Sequence, residues 1–203
     1  MHDPKRPSRL ARADNVDVPS DEELAGRAAR GEAAAFEEIV RRYQRPLLNF
    51  CFRLLGDADE AADAAQQAFV QAYLNLPRAR LDLPLRPWLY RIARNQCLDR
   101  LRARRTVAFS ELEREDEESP VDAVPDLDPL PDELLEHREL QRILGDAIVA
   151  LPERYRAVVA MRYTTDLTFA EIGQALEIPE NTVKTFFQRA KAILRDQLRE
   201  RLA

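Results

Sequence analysis

Residues 168–194 read TFAEIGQALEIPENTVKTFFQRAKAIL. Thr168 followed three positions later by Glu171 has the spacing of a capping box, so a short helix is expected over 168–176. Pro179 interrupts it, and a second helix is expected over 180–201. Two helices joined by a turn at Glu177–Pro179 form a helix-turn-helix. That arrangement needs a small residue where the helices cross, and Gly173 supplies it. It also needs apolar residues flanking the turn, which Ile172, Leu176, Ile178, Val183 and Phe186 or Phe187 supply. The turn position usually filled by glycine holds Glu177, where a left-handed backbone costs roughly 1 kcal/mol.

In such a motif the second helix enters the major groove of DNA. Its polar face offers Lys184, Thr185, Gln188, Arg189 and Lys191. Gln and Arg can bond base edges at two points, and Lys and Thr suit phosphates. The bland alternative is a helical hairpin with a solvated basic face.

The composition agrees with an all-α chain. Of 203 residues only five are glycine, and Ala, Leu, Arg and Glu dominate, side chains that lose little freedom in a helix. Two cysteines, Cys51 and Cys97, are too few for a disulfide framework or a cysteine zinc site, and they read as reduced core residues. His2 and His137 are not arranged as a metal pair, so no metal and no cofactor is expected. There is no run of about 18 apolar residues, and residues 1–15 carry charge without an apolar segment. No membrane insertion and no secretion signal are expected, and the location implied is cytoplasmic.

The net charge of −5 conceals a division. Ser110–Glu136 holds twelve acidic residues and one basic, a net of −11, which leaves +6 on the rest of the chain. The basic flanks are therefore the parts that can face phosphate. The acidic stretch also contains Pro120, Pro125, Pro129 and Pro131, and its composition cannot bury enough surface to fold. The expected layout is a disordered tail over 1–19, a helical domain over 20–105, a flexible acidic linker over 106–131 and a helix-turn-helix domain over 132–203.

In the first domain, Ser20 and Glu23 mark a helix start, and a helix over 33–55 is expected to kink or break at Pro46. Asp57 and Glu60 open another helix, which ends before Pro77. A loop follows to Pro87, then a helix over 87–104. In the second domain a helix over 132–150 and one over 152–163 precede the motif. The segment RPWLYRIARNQCLDRLRARR, Arg86–Arg105, has seven arginines and one acid. Leu89, Ile92, Ala93, Cys97 and Leu101 form an inward stripe, while Trp88, Arg91, Asn95 and Arg102 share another face. An aromatic ring among arginines and an amide suits unpaired bases and their backbone. The same residues also fit a core tryptophan with solvated arginines.

The stretch GDADEAADAAQQAFVQAYLNL (56–76), a proline-containing loop, and WLYRIARNQCLDRLR (88–102) together resemble the second conserved region of bacterial sigma factors. The C-terminal motif is similar to their fourth region, with Glu-Ile, Thr-Val-Lys and Arg-Ala in order. With no other sigma region present, the chain resembles the extracytoplasmic-function group. It departs from that group's commonest wording at Asn181, Phe186 and Phe187. The resemblance implies a non-enzymatic subunit that binds core RNA polymerase and directs promoter recognition, melting and initiation. Asp63, Gln66 and Gln67 would dock on the β′ clamp helices. The loop after Pro77 and the helix carrying Trp88, Arg91, Asn95 and Arg102 would hold the melted −10 element. Lys184, Thr185, Gln188, Arg189 and Lys191 would bind the −35 element of promoter DNA, with part of the second domain on the β flap. The family also implies an anti-sigma partner.

Two other classes compete. A helix-turn-helix regulator acting without core polymerase would need an effector or dimerisation element, and no βα pattern or long heptad run is present. An enzyme could use acid pairs such as Asp59 and Asp63, but no phosphate loop, nucleophile elbow or His/Cys cluster accompanies them.

Overall fold

The computed structural model describes residues 18–79, 84–111, 142–165 and 167–202, and every regular element among them is helical. The expected tail to residue 17, the chain over 112–141 and residues 80–83 of the proline loop lie outside the described residues.

Helix α1 (Asp21–Ala29) starts where Ser20 Oγ accepts the Glu23 N–H at 3.1 Å and Glu23 answers on the Ser20 N–H at 3.2 Å. It buries Leu24, Ala25 and Ala28 against α2 (Ala33–Leu55). Asp21 ties the two together by accepting from Tyr43 and pairing with Arg42 at 3.1 Å. Burial, then that hydrogen bond, pushes the Tyr43 hydroxyl well above its usual pKa.

Of the kink or break expected at Pro46, the break does not occur: α2 is one helix through it. A proline removes one backbone donor, but the residues beyond it, Leu47, Phe50, Cys51, Leu54 and Leu55, are all core. Burying five apolar side chains at roughly 1.5–3 kcal/mol each for the large ones outweighs a proline cost of about 3 kcal/mol. Gly56 then ends the helix at φ 74°, a left-handed conformation that glycine adopts without strain, and its N–H reaches Phe52 O at 2.8 Å.

Asp57 caps α3 (Ala58–Asn75) by accepting the Glu60 N–H at 2.8 Å. Glu60 turns instead to Arg104, at 2.7 Å. The buried side of α3 is Ala61, Ala64, Ala65, Ala68 and Ala72, small residues that let it lie close on α2 and α4. A 3-10 turn, Leu76–Arg78, follows.

Helix α4 (Leu85–Glu111) begins two residues before Pro87 and runs seven beyond Arg104, into the stretch expected to be linker. A proline in the first turn costs little because its N–H would have no helical partner. After the undescribed residues 112–141, α5 (142–149) and α6 (Glu153–Thr164) lead into α7 (Phe169–Leu176) and α8 (Glu180–Leu202).

The two sequence domains touch. Helix α6 packs on α2, and α7 on α4. One apolar core runs from Leu24, Leu54 and Leu89 across to Val158, Met161, Leu167 and Ile172. A smaller core, with Ile148, Leu151, Tyr155, Val159 and Leu194, holds α5, α6 and α8 together.

Candidate nucleic-acid interface

Thr168 Oγ1 accepts the Glu171 N–H at 3.2 Å, while Glu171 accepts the Thr168 N–H at 2.7 Å, so the capping box fixes the start of α7. Gly173 sits at the crossing: a Cβ there would stand 2.8 Å from Ile178 O. Glu177 takes φ 58° and ψ 39°, the left-handed turn anticipated from its position. The Ile178 N–H closes the turn on Gly173 O at 3.0 Å. Leu176 and Val183 flank it as core residues.

This scaffold aims α8 outward. Lys184, Thr185, Gln188, Arg189 and Lys191 are all exposed, and their spacing places them on adjoining strips of one helical face. They are held in place by local contacts. Lys184 Nζ lies 2.6 Å from Glu180, and Thr185 Oγ1 donates to Asn181 O at 2.9 Å. Arg189, then Arg154, lowers the pKa of the Tyr155 hydroxyl. Phe186 stacks edge-on with Tyr155 at 5.4 Å, and Phe187 with Phe169 at 5.4 Å. The aromatic pair that departs from the family's wording thus seats α8 on α6 and α7.

On the first domain, Asp63, Gln66 and Gln67 are exposed on α3. The structure adds what sequence reasoning missed: Val70, Tyr73 and Leu74 continue the same side and are 43%, 52% and 60% exposed. The signal was available, since apolar residues seven and eight positions after Gln66 lie near its face.

The set on α4 divides. Asn95 and Arg102 are exposed, and Arg102 pairs with Asp99 at 3.2 Å. Arg91 is half-buried and pairs across the domains with Glu177 at 3.2 Å. Trp88 does not share an open face with them. It is 7% exposed, among Leu85, Leu89 and Tyr90, because the first turn of α4 lies inside the core. In this conformation Trp88 is a packing residue and presents no ring to a base.

Cys51 and Cys97 are buried and face each other. The hydrogen bond with Cys97, then burial, holds the Cys51 thiol's pKa well above its usual value. Among the described residues no three His, Cys, Asp or Glu side chains converge as a metal site requires, and no helix is long and apolar enough to cross a membrane.

The fold and this surface define a helical protein with a helix-turn-helix at its C-terminal end and a second polar surface on its N-terminal half. The sigma-70 region 2 family matches residues 39–107, and the sigma-70 region 4 family matches residues 141–194. The chain is 36% identical over 178 residues to the ECF RNA polymerase sigma factor SigW of Bacillus subtilis, covering 84% of this chain and 92% of that one. It is 32% identical over 176 residues to the ECF RNA polymerase sigma-E factor of Escherichia coli K12, covering 85% and 91%. CnrH, solved in complex with the cytosolic domain of CnrY, superposes with a TM-score of 0.65 at 22% identity, over 89% of this chain and 97% of that one. The sigma factor RpoE of Bartonella quintana, solved with the anti-sigma factor NepR, gives a TM-score of 0.65 at 18% identity, over 81% and 96%. The chain belongs to the extracytoplasmic-function group of the sigma-70 family, RNA polymerase subunits that direct promoter recognition.

Proposed function

We propose that three separate surfaces divide the work of this sigma factor. Core polymerase docks on α3, through Asp63, Gln66 and Gln67 with the exposed apolar side chains of Val70, Tyr73 and Leu74 beside them. The −35 duplex takes α8 in its major groove, with Gln188 and Arg189 toward base edges and Lys184, Thr185 and Lys191 toward phosphates. The melted −10 strand lies along α4, where Asn95, Arg102 and, once its partner is displaced, Arg91 meet it, and Trp88 supports the helix from below. The observation that carries this is the shared outward face of the five α8 residues on a helix locked by a capped, glycine-crossed turn.

The first module spans residue 20 to the end of α4, and the second 132–203, with part of it on the β flap. The factor works in the cytoplasm, supplies no catalytic group, and has an anti-sigma protein as a further partner. The two structural relatives solved with CnrY and NepR support that last point.

Run-off transcription with core polymerase on a promoter library tests the reading. The chain should start transcripts at a defined promoter set and bind DNA poorly without core enzyme. Gln66→Ala with Gln67→Ala should weaken core association. Gln188→Ala should cost about 1–3 kcal/mol in −35 discrimination, and Lys184→Ala should lower the salt slope by about 1. Tight, specific duplex binding by the free chain with no effect on polymerase would overturn it in favour of a stand-alone regulator.

A further inference from the structure

Phe186 and Phe187 are half-buried neighbours on α8, and a cation stands over each ring. Arg154, in the first turn of α6, holds its guanidinium carbon 4.9 Å from the Tyr155 ring centre and 6.0 Å from that of Phe186. Those two rings meet edge-on at 5.4 Å, so they form one seat. On the other edge of the helix, Lys191 Nζ stands 6.0 Å from the Phe187 ring centre. Neighbouring residues leave a helix in different directions, so the two seats flank the strip that carries Thr185 and Gln188.

Arg154 is badly placed to stabilise its own helix, since a cation in the first turn opposes the helix dipole. It is exposed, and among the described residues no carboxylate pairs with it. Arg189 and Arg154 both act on the Tyr155 hydroxyl. Two guanidinium groups therefore stand beside that hydroxyl with no acid between them. Like charges held close repel, and an anion relieves the repulsion. The major groove of DNA is about 12 Å wide and lies between two phosphate backbones. A helix lying in it presents each of its edges to one of them.

We infer that Phe186 is a positioning residue for −35 binding: with Tyr155 it forms an aromatic seat that aims Arg154, from outside the helix-turn-helix, at a phosphate beside the groove. Arg154 and Arg189 grip one strand, and Lys191 on its own ring grips the other. This rests on the proposed seating of α8 in the −35 duplex. A ring suits the task because it fixes the guanidinium while leaving its charge whole. A carboxylate in its place would fix Arg154 and cancel the charge that a phosphate needs.

The test uses the full chain assembled with core polymerase on a promoter drawn from the run-off library, with affinity measured at a series of salt concentrations. Arg154→Gln should make the slope of log affinity against log salt shallower by about 1, as loss of one phosphate contact requires. The loss should be the same on a promoter with altered −35 bases, because phosphate contacts carry no sequence information. Phe186→Leu keeps an apolar side chain against Tyr155 and removes the ring beneath the guanidinium. Affinity should fall about two- to fivefold, the range of a cation–ring attraction at an exposed site, and Phe186→Tyr should retain it. With Arg154→Gln already in place, Phe186→Leu should cost nothing further.

An unchanged salt slope in Arg154→Gln removes the phosphate contact and overturns the inference. A loss from Phe186→Leu that is just as large without Arg154 also overturns it, because Phe186 then acts by packing alone. Lys184→Ala and Gln188→Ala in the same assay separate these failures from a failure of the −35 assignment. If those two variants behave as expected and Arg154→Gln does not, only the seat fails. If none of the three changes −35 binding, the placing of α8 in the duplex fails with it.

Discussion

Gly173→Ala isolates the one close approach on which the helix-turn-helix depends. The new Cβ would lie 2.8 Å from Ile178 O, 3.5 Å from Glu180 N and 3.6 Å from Glu180 Cα. Carbon–oxygen contacts settle near 3.3–3.6 Å, so the turn must retreat by about half an ångström. The obstructing atom is backbone, and its residue is held by the Ile178 N–H bond to Gly173 O at 3.0 Å. It cannot swing aside as a side chain would. Overpacking of this kind costs about 1–3 kcal/mol, partly offset by about 1 kcal/mol of improved helix propensity. A net loss of up to about 2 kcal/mol follows, or up to about 8 °C in Tm for a chain of this size. Gly26→Ala is the matched control, since its nearest neighbour would be the flexible end of Arg30 at 3.7 Å. It should show the propensity gain alone. Urea titration of both full-length variants, with amide exchange at Ile178, reads the difference. If Gly173→Ala stabilises the chain as much as Gly26→Ala, the crossing is looser than the geometry states.

Three further outcomes are expected. Asp57→Ala removes the cap that accepts the Glu60 N–H and should lower stability by about 1 kcal/mol in denaturant titration, with Asp57→Asn largely retaining it. The Glu38 carboxyl is held down to about 2 by the guanidinium groups of Arg41 and then Arg42. Its folded pKa lies below its unfolded one, so its contribution is present above about pH 4.3 and disappears as pH falls through about 2. Carboxyl NMR should show Glu38 still ionised at pH 3. Cys51 and Cys97 should resist alkylation in the native chain and react after unfolding, because both are buried and the Cys51 thiol is held protonated. Rapid native labelling at either position would contradict the packing of α2 on α4.

The parts of this fold that were legible in the sequence are those written in local chemistry. The boxes at Ser20–Glu23 and Thr168–Glu171, the glycine at the helix crossing and the proline after Glu177 each specify geometry within a few residues, and the structure has them as read. Pro46 does not break α2 because its local cost is outvoted by five buried side chains downstream, a tertiary effect with no local mark. The continuation of α4 to Glu111 was hidden because the linker was drawn from residue 106, although residues 106–111 read TVAFSE, with one acid, and the acidic run proper starts only there. Trp88 was ambiguous for a different reason. Helical spacing gives the face of a residue but not how deeply its turn is sunk, and Leu85, Trp88, Leu89 and Tyr90 at the start of α4 are all buried. The pairing of Arg91 with Glu177 was invisible, being a meeting of two surfaces that only the packed halves create.

The charge distribution bears on how such a chain selects promoters. Nonspecific affinity for DNA grows with the number of phosphates neutralised. On the proposed assignment the α8 face brings three cations, Lys184, Arg189 and Lys191, and the −10 set on α4 brings Arg91 and Arg102. Neither set alone reaches the six to ten phosphate contacts that make binding tight and steeply salt-dependent. Two weak grips become strong only when something fixes their separation, because the second contact is then made at an effective concentration in the millimolar range. Core polymerase is the element that can fix it. A chain whose modules were individually tighter would bind isolated −35 or −10 sequences throughout a genome, and the requirement for both at the right spacing would weaken. On this argument, adding lysines to the exposed face of α8 should raise binding to all DNA while lowering the ratio of correct to incorrect start sites in run-off transcription. A gain in both would mean that discrimination resides within α8 and not in the pairing of two modest contacts.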